Sequence, residues 1–350
     1  DQMYLLGDIG GTNLRLALFE NSKEVRKQIY STTDNPELHL IFKQFIGAEK
    51  PLAGCIAIAG PVTRQDGDET VTLTNQEHNT VYSSRQLSEQ LGFKCSFIND
   101  FEAVGYFICS KPKPDQLVLL QDNPRQSGAV VYLGAGTGLG VGYITSPPPK
   151  STSSSNKSSN QTPTNMHQHV DGHPCPSEGG HTRFSVENLF EFEFQQFYLK
   201  ELNANHLSND RVVSGRGLQK LIDFVQQKSP QFILQHLCEL KQFFNLSEDS
   251  QVLNGRIPTS VQELASDASS SQLSLLVLAV WFSWYGRFIG DMVVTFCPGE
   301  VFVAGGIAEK NLHFIQGVVG EVMRNGIKRK GRLSQMPQGV RISVIVEKDA

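Results

Sequence analysis

Two glycine-rich stretches carry the residue types that grip phosphate. In DIGGTNLR, Asp8 to Arg15, Gly10 and Gly11 let the backbone approach an anion while Thr12 and Asn13 add hydrogen-bond donors. Asp8 ends a strand-like run, where a carboxylate can hold a hydrated Mg2+ beside phosphates, an ion that keeps several waters and takes one or two carboxylates. A plain hairpin needing positive φ would use the same glycines, and one loop does not separate the two readings. The second stretch, GAGTGLG from Gly134 to Gly140, repeats the type around Gly136, Thr137 and Gly138. No phase of it gives G-x-G-x-x-G, because the sixth position falls on Leu139, Val141 or Tyr143, and no glycine precedes Lys-Ser or Lys-Thr anywhere. Rossmann and P-loop patterns are both missing, so phosphate binding here rests on two hairpins.

Three further groups could do chemistry. Asp100 ends the run CSFIND, where α/β sheets place ligands, and could take the proton of an attacking hydroxyl or simply cap the helix that follows. Glu178 and His181 flank Gly179 and Gly180, offering a carboxylate and an imidazole on one tight turn. Gly305 and Gly306 follow the run VFVA, as room for a nucleoside or as a close strand-to-helix crossing. His167, His169, His173 and Cys175 are metal-ligand types close in sequence, but they lie in or beside a low-complexity stretch and no metal site is assigned to them.

The elements that must position these residues follow from periodicity. Tyr4 to Ile9 and Leu14 to Phe19 read as strands around the first loop, with Leu14, Leu16 and Leu18 alternating. Ala129 to Leu133 and Val141 to Ile144 repeat that pattern around the second, which suggests an internal duplication. A helix-like stretch at Glu37 to Phe45, an apolar run at Cys55 to Gly60 and a helix-like FEAVGYFI after Asp100 lie between them. Helical periodicity continues over Val186–Leu202, Leu218–Val225, Val261–Leu264 and Leu273–Phe288, with Ser185 and Thr259 as expected N-caps. Val301 to Gly306 and Val340 to Glu347 read as further strand segments, so the class is α/β. Residues 146–174 combine Pro, Ser and Asn with almost no apolar side chain and read as a disordered insertion.

Composition narrows the partners. A formal charge of -4 leaves no basic excess for a phosphate backbone, which argues against nucleic acid. The apolar stretch from Leu275 to Phe282 is too short for a bilayer span of about 20 residues, so it reads as a buried helix and no membrane partner is expected. Six cysteines without a C-x-x-C pair, and an amino terminus that enters a strand without a leader, point to reduced thiols in a cytoplasmic setting.

In this order, DIGGTNLR, IND ending at Asp100, GAGTGLG, EGGH from Glu178 to His181 and VAGGI from Val303 to Ile307 resemble the bacterial-type glucokinase family. The family belongs to the hexokinase, actin and Hsp70 ATPase superfamily, and the resemblance spans nearly the whole chain except the insertion. It implies a two-domain actin-like ATPase (ribonuclease H-like) fold with an interdomain active-site cleft, residues 1–113 forming the smaller domain and 114–350 the larger. It implies ATP with Mg2+ as cofactors and glucose as the sugar phosphorylated at its 6-hydroxyl, with Asp100 as base and Asn99, Asp100, Glu178 and His181 on the sugar. Asp210, in SNDRVVSGRG, stands where the family has a sugar-binding Glu one methylene longer. Asp8, Gly10, Gly11, Thr12, Asn13, Gly136, Thr137, Gly138, Gly305 and Gly306 would then surround the nucleotide, with Asp8 toward the metal. The family's last helix returns to the first domain, and the sequence stops at Ala350 before it, as a truncated chain would. A homodimer and organelle import are left open. The rival readings are a catalytically inactive sugar-binding regulator, whose added helix-turn-helix is missing ahead of the first loop, and a sugar-independent ATPase, which leaves EGGH and Asn99-Asp100 unexplained.

Overall fold

A computed structural model describes residues 2–10, 13–31, 38–72, 81–110, 112–145, 172–237, 240, 243–244, 258–268 and 271–346. The chain divides into two compact units, Asp1–Phe107 and Ile108–Ala350.

In the first unit, β1 (Met3–Ile9), β2 (Asn13–Glu20), β3 (Lys23–Ser31), β4 (Ala53–Ile58) and β8 (Lys94–Asn99) form a sheet in the order β3-β2-β1-β4-β8. The first three strands are antiparallel and β1, β4 and β8 are parallel. Period-two alternation decides which face is buried: Leu5 and Ile9 on β1 and Leu14, Leu16 and Leu18 on β2 are all sealed from solvent. The apolar stripe of α1 (Leu38–Ile46), from Leu38 through Phe42 to Phe45, joins them in one core. A small antiparallel sheet, β5 (Val62–Gln65), β6 (Asp68–Thr72) and β7 (Val81–Ser83), leads into α2 (Ser84–Leu91), which Ser83 caps at Gln86 N. Helix α3 (Asp100–Cys109) leaves β8 without a loop and crosses the division between the units.

The second unit repeats the plan. Its sheet runs β12-β11-β10-β13-β14-β9, from β9 (Leu117–Gln121), β10 (Val130–Ala135), β11 (Leu139–Thr145), β12 (His173–Ser177), β13 (Glu300–Ala304) and β14 (Arg341–Ile345). Strands β12, β11 and β10 are antiparallel while β10, β13 and β14 are parallel, the same pattern as β3-β2-β1-β4-β8. The duplication read from two glycine hairpins is therefore a duplication of whole sheets. Strand β12 begins inside the segment expected to be disordered: His173 and Pro174 pair with Thr145 and Ile144 of β11. Its two prolines argue against a central strand, but β12 is an edge, where a missing N–H can face outward. The remainder of the insertion lies outside the described residues.

The helices are α4 (Leu189–Leu202), α5 (Asn209–Val212), α6 (Gly215–Gln226), α7 (Pro230–His236), α8 (Val261–Asp267), α9 (Gln272–Phe296), α10 (Gly306–Lys310), α11 (Leu312–Ile315), α12 (Val318–Lys328) and α13 (Gln335–Gln338). Two caps differ from expectation. Asn188, not Ser185, accepts from Glu191 N, and Ser260, not Thr259, accepts from Glu263 N, because a cap side chain must stand three residues before the donor it serves. Helix α9 is long and apolar enough to cross a membrane by length and composition, yet 89% of its most apolar window is buried inside the protein. Being apolar on all sides, it forms the core, with Trp281, Phe282, Tyr285 and Phe288 sealed. Gly286 and Gly290 let it meet α12 so closely that an added Cβ would collide with the carbonyls of Met323 and Ile327.

Candidate active site

Each glycine loop closes a hairpin. In the first, Gly10 N donates to Asn13 O at 2.9 Å, and Asp8 and Arg15 face each other in register with an ion pair of 2.7 Å. Gly11 and Thr12 lie outside the described residues. In the second, Gly136 N donates to Gly138 O at 2.8 Å between paired Ala135 and Leu139.

The second loop does not stand alone. It is held from the α5–α6 corner by three contacts: Leu139 N to Asp210 Oδ1 at 2.8 Å, Gly215 N to Gly136 O at 2.8 Å, and Arg216 Nε to Thr137 O at 3.2 Å. A Cβ on Gly138 would sit 2.6 Å from Asp210 Oδ1, so a larger residue there would displace that carboxylate. The corner is itself fixed to the core, where Ser214 caps α6 and Trp281 Nε1 donates to Val212 O.

The EGGH turn packs against the same loop. Gly179 to His181 form a 3-10 turn, with Glu178 Oε2 3.5 Å from His181 Nε2 and both side chains about two-thirds exposed (67% and 64%). Gly180 touches Leu139 O so tightly that no Cβ fits. Asn209, beside Asp210, ties the turn down through Thr182 O, accepting no slack: its backbone N and side-chain Nδ2 both donate there. Leu139 thus has EGGH on its carbonyl and Asp210 on its N–H. Gly305 joins the same neighbourhood. Its φ of 91° and an added Cβ only 2.5 Å from Ala135 O demand glycine, so it serves the close strand-to-helix crossing, whereas around Gly306 the nearest atom stands 4.0 Å away.

At the end of β8, Asn99 rather than Asp100 supplies the helix cap. Asn99 Oδ1 accepts from Phe101 N at 2.8 Å and Glu102 N at 3.3 Å, and its Nδ2 donates to Gly60 O at 2.9 Å. The Asp100 carboxylate is exposed, its Oδ1 also 2.8 Å from Phe101 N. One turn on, buried Glu102 takes Arg64 Nη2 at 2.9 Å, which fastens the start of α3 to β5. Nothing in the spacing of Arg64 and Glu102 signals that pairing.

An ionic network centred on buried Arg287 and Glu191 supports the segment after EGGH. Arg287 on α9 meets Glu187 at 2.8 Å and Glu191 at 3.1 Å, and its guanidinium lies 5.7 Å from the Phe184 ring centre. Trp284 Nε1 donates to the other oxygen of Glu191, and Arg329 reaches Glu187 at 2.6 Å. Glu187, Glu191, Trp284 and Arg287 lie in stretches read only as helices; folding brings them together with Arg329. His173 and Cys175 lie on β12, His167 and His169 lie outside the described residues, and among the described residues no three His, Cys, Asp or Glu converge on a metal-binding point. Cys55, Cys95, Cys109, Cys175 and Cys297 are free thiols, and burial pushes that of Cys95 up to about 12.

Paired sheets of one topology, each opening on a glycine-rich hairpin, define a two-domain actin-like ATPase fold. Solved structures share it: glucokinase from Balamuthia mandrillaris in complex with glucose (TM-score 0.71, 18% identity, 99% of this chain and 90% of that one) and a ROK family glucokinase from Streptomyces griseus in complex with glucose and AMPPNP (0.54, 16%, 98% and 94%). The chain belongs to the glucokinase family, whose model matches residues 5–157 and 163–350. It is 30% identical to glucokinase of Nostoc punctiforme over 98% of this chain and 95% of that protein.

Proposed function

We propose that this enzyme transfers the γ-phosphate of ATP to the 6-hydroxyl of glucose, giving glucose 6-phosphate and ADP, with Asp100 as the base. The observation that carries the assignment is the division of labour at the end of β8. Asn99 takes the helix cap, and Asp100, whose Oδ1 also lies 2.8 Å from Phe101 N, presents an exposed carboxylate at the carboxyl end of a parallel strand. Asp100 accepts the 6-hydroxyl proton while that oxygen bonds to the γ-phosphorus and the bond to the β,γ-bridging oxygen breaks, releasing ADP. Asn99, with one amide hydrogen on Gly60 O, has the second for a neighbouring hydroxyl. Glu178 and His181 offer an acceptor and a two-way imidazole to further hydroxyls, with Asp210 as a fifth sugar ligand. Gly10, Gly11, Thr12 and Asn13, with Gly136, Thr137 and Gly138, take the phosphates, and Gly305 and Gly306 flank the nucleoside.

Asp8 fits a hydrated Mg2+. Its half-exposed carboxylate stands beside the first loop, and Arg15 holds Oδ2, so that Asp8 would hold the hydrated ion through its other oxygen. Bound with the nucleotide, the ion would supply neutralisation of phosphate charge.

A coupled ADP-release assay over glucose, mannose, glucosamine and fructose, with ATP, ADP and pyrophosphate as donors, tests the reading. Turnover of glucose with ATP is expected. Equal ADP release without sugar would make the protein an ATPase, and glucose binding without any ADP release would make it a regulator.

A further inference from the structure

The α5–α6 corner holds a cation that the roles above leave without a task. Arg216 lies in the first turn of α6, where the helix favours anions and no acidic side chain offsets it, so the helix itself does not account for its position. Its Nε donates to Thr137 O at 3.2 Å, which lays the guanidinium along the second glycine loop. Its Nη2 stands 3.7 Å from Asp210 Oδ2, too long for a hydrogen bond, and the side chain is 52% exposed. Asp210, only 14% exposed, is meanwhile bonded through Oδ1 to Leu139 N. The loop is open here: Thr137 is exposed, and a Cβ added at Gly136 would meet nothing within 4 Å beyond its chain neighbours.

Resting on the phosphate-transfer reading above, we propose that Arg216 binds a phosphate oxygen of the nucleotide at the second glycine loop, and that Asp210 is the positioning residue that holds loop and guanidinium in register. A planar guanidinium is the side chain suited to a phosphate edge, and Thr137 O fixes its orientation before the nucleotide arrives. Asp210 keeps the cation near by charge without engaging it closely, so a phosphate oxygen can take Nη2 without breaking a formed hydrogen bond. The proposal gives one carboxylate two duties, since Asp210 also sits beside the sugar-binding turn.

The test is calorimetric binding of ADP, a non-hydrolysable ATP analogue and adenosine to wild type, Arg216→Gln and Arg216→Lys, with steady-state KM values for ATP and glucose. Arg216→Gln should raise the ADP and analogue Kd and the ATP KM by roughly tenfold, the loss of one charge-assisted phosphate contact, and leave adenosine Kd and glucose KM unchanged. Arg216→Lys should recover part of the loss, because the charge stays while the fixed fork goes. Unchanged ADP affinity in Arg216→Gln overturns the proposal, as does an equal loss for adenosine. For the positioning role, Asp210→Ala should raise the ATP KM and Asp210→Asn, which keeps an acceptor for Leu139 N, should restore most of it; no rescue by Asn removes that role. Because ADP binding needs no sugar, a chain that phosphorylates no sugar yet loses ADP affinity in Arg216→Gln would sink the glucokinase reading and sustain this one.

Discussion

The backbone of Leu139 joins the second glycine loop to two segments of the second unit: its N–H is held by the Asp210 carboxylate at 2.8 Å, and its carbonyl presses on Gly180 of the EGGH turn. A displacement of the EGGH turn therefore bears on the second glycine loop through one residue.

Gly180→Ala tests that junction. The added methyl has no space against Leu139 O, which is backbone and cannot step aside. The turn must lift, at a stability cost of about 1–3 kcal/mol, and Glu178 and His181 move with it. Glucose kcat/KM should fall well beyond what thermal denaturation alone explains. Wild-type kinetics in a folded Gly180→Ala protein would show that the contact is unimportant.

Asp100→Asn keeps the shape of the side chain and removes the proton acceptor. A fall in kcat of about 10²-fold or more is expected, with glucose affinity by calorimetry held within a few-fold. Near wild-type kcat would remove Asp100 as the base.

Arg287→Ala leaves Glu191 buried beside Glu187 with its main cation gone. Breaking a buried pair from one side is expected to cost about 3–5 kcal/mol, read as a lower urea midpoint. Glu187→Gln leaves Arg287 paired with Glu191, so its loss should be smaller.

Glu300 makes stability depend on pH. Burial pushes its carboxyl above the ordinary 4.5, with Arg125 and Arg341 pulling it partly back. The folded chain then holds the proton more tightly than the unfolded one, so the contribution of Glu300 to stability is full below about pH 4.5 and declines as pH rises through its folded-state value. The Tm difference between Glu300→Gln and wild type should therefore grow in favour of the variant from pH 4 toward neutrality, at about the scale that linkage allows. A constant or shrinking difference contradicts the raised value.

Much of the fold was legible because burial imposes period. Leu14, Leu16 and Leu18 alternate along β2 since one face of the sheet is sealed, and the apolar Leu273–Phe288 stretch marked the central helix. Strands β3 and β12 escaped notice: Lys23 to Ser31 is a polar edge, and His173 to Ser177 carries two prolines, so neither shows the pattern of a half-buried strand. The caps at Asn188 and Ser260 were missed by one to three residues because several hydroxyl and amide side chains compete near each helix start.

The sequence by itself determined which residue types are present and in what order: two glycine-rich loops, a carboxylate at a strand end, a Glu and a His on one turn, all in the order of a known family. Those are local signals, carried by residue type and short spacing. Only tertiary structure decided that Asn99 caps α3, that Gly305 serves a crossing against Ala135, and that Asp210, 71 residues from Leu139, closes on the second loop with Arg216 beside it. Such contacts depend on how sheets and helices pack at long separation, and no spacing along the chain encodes the 2.8 Å at which a carboxylate meets an amide.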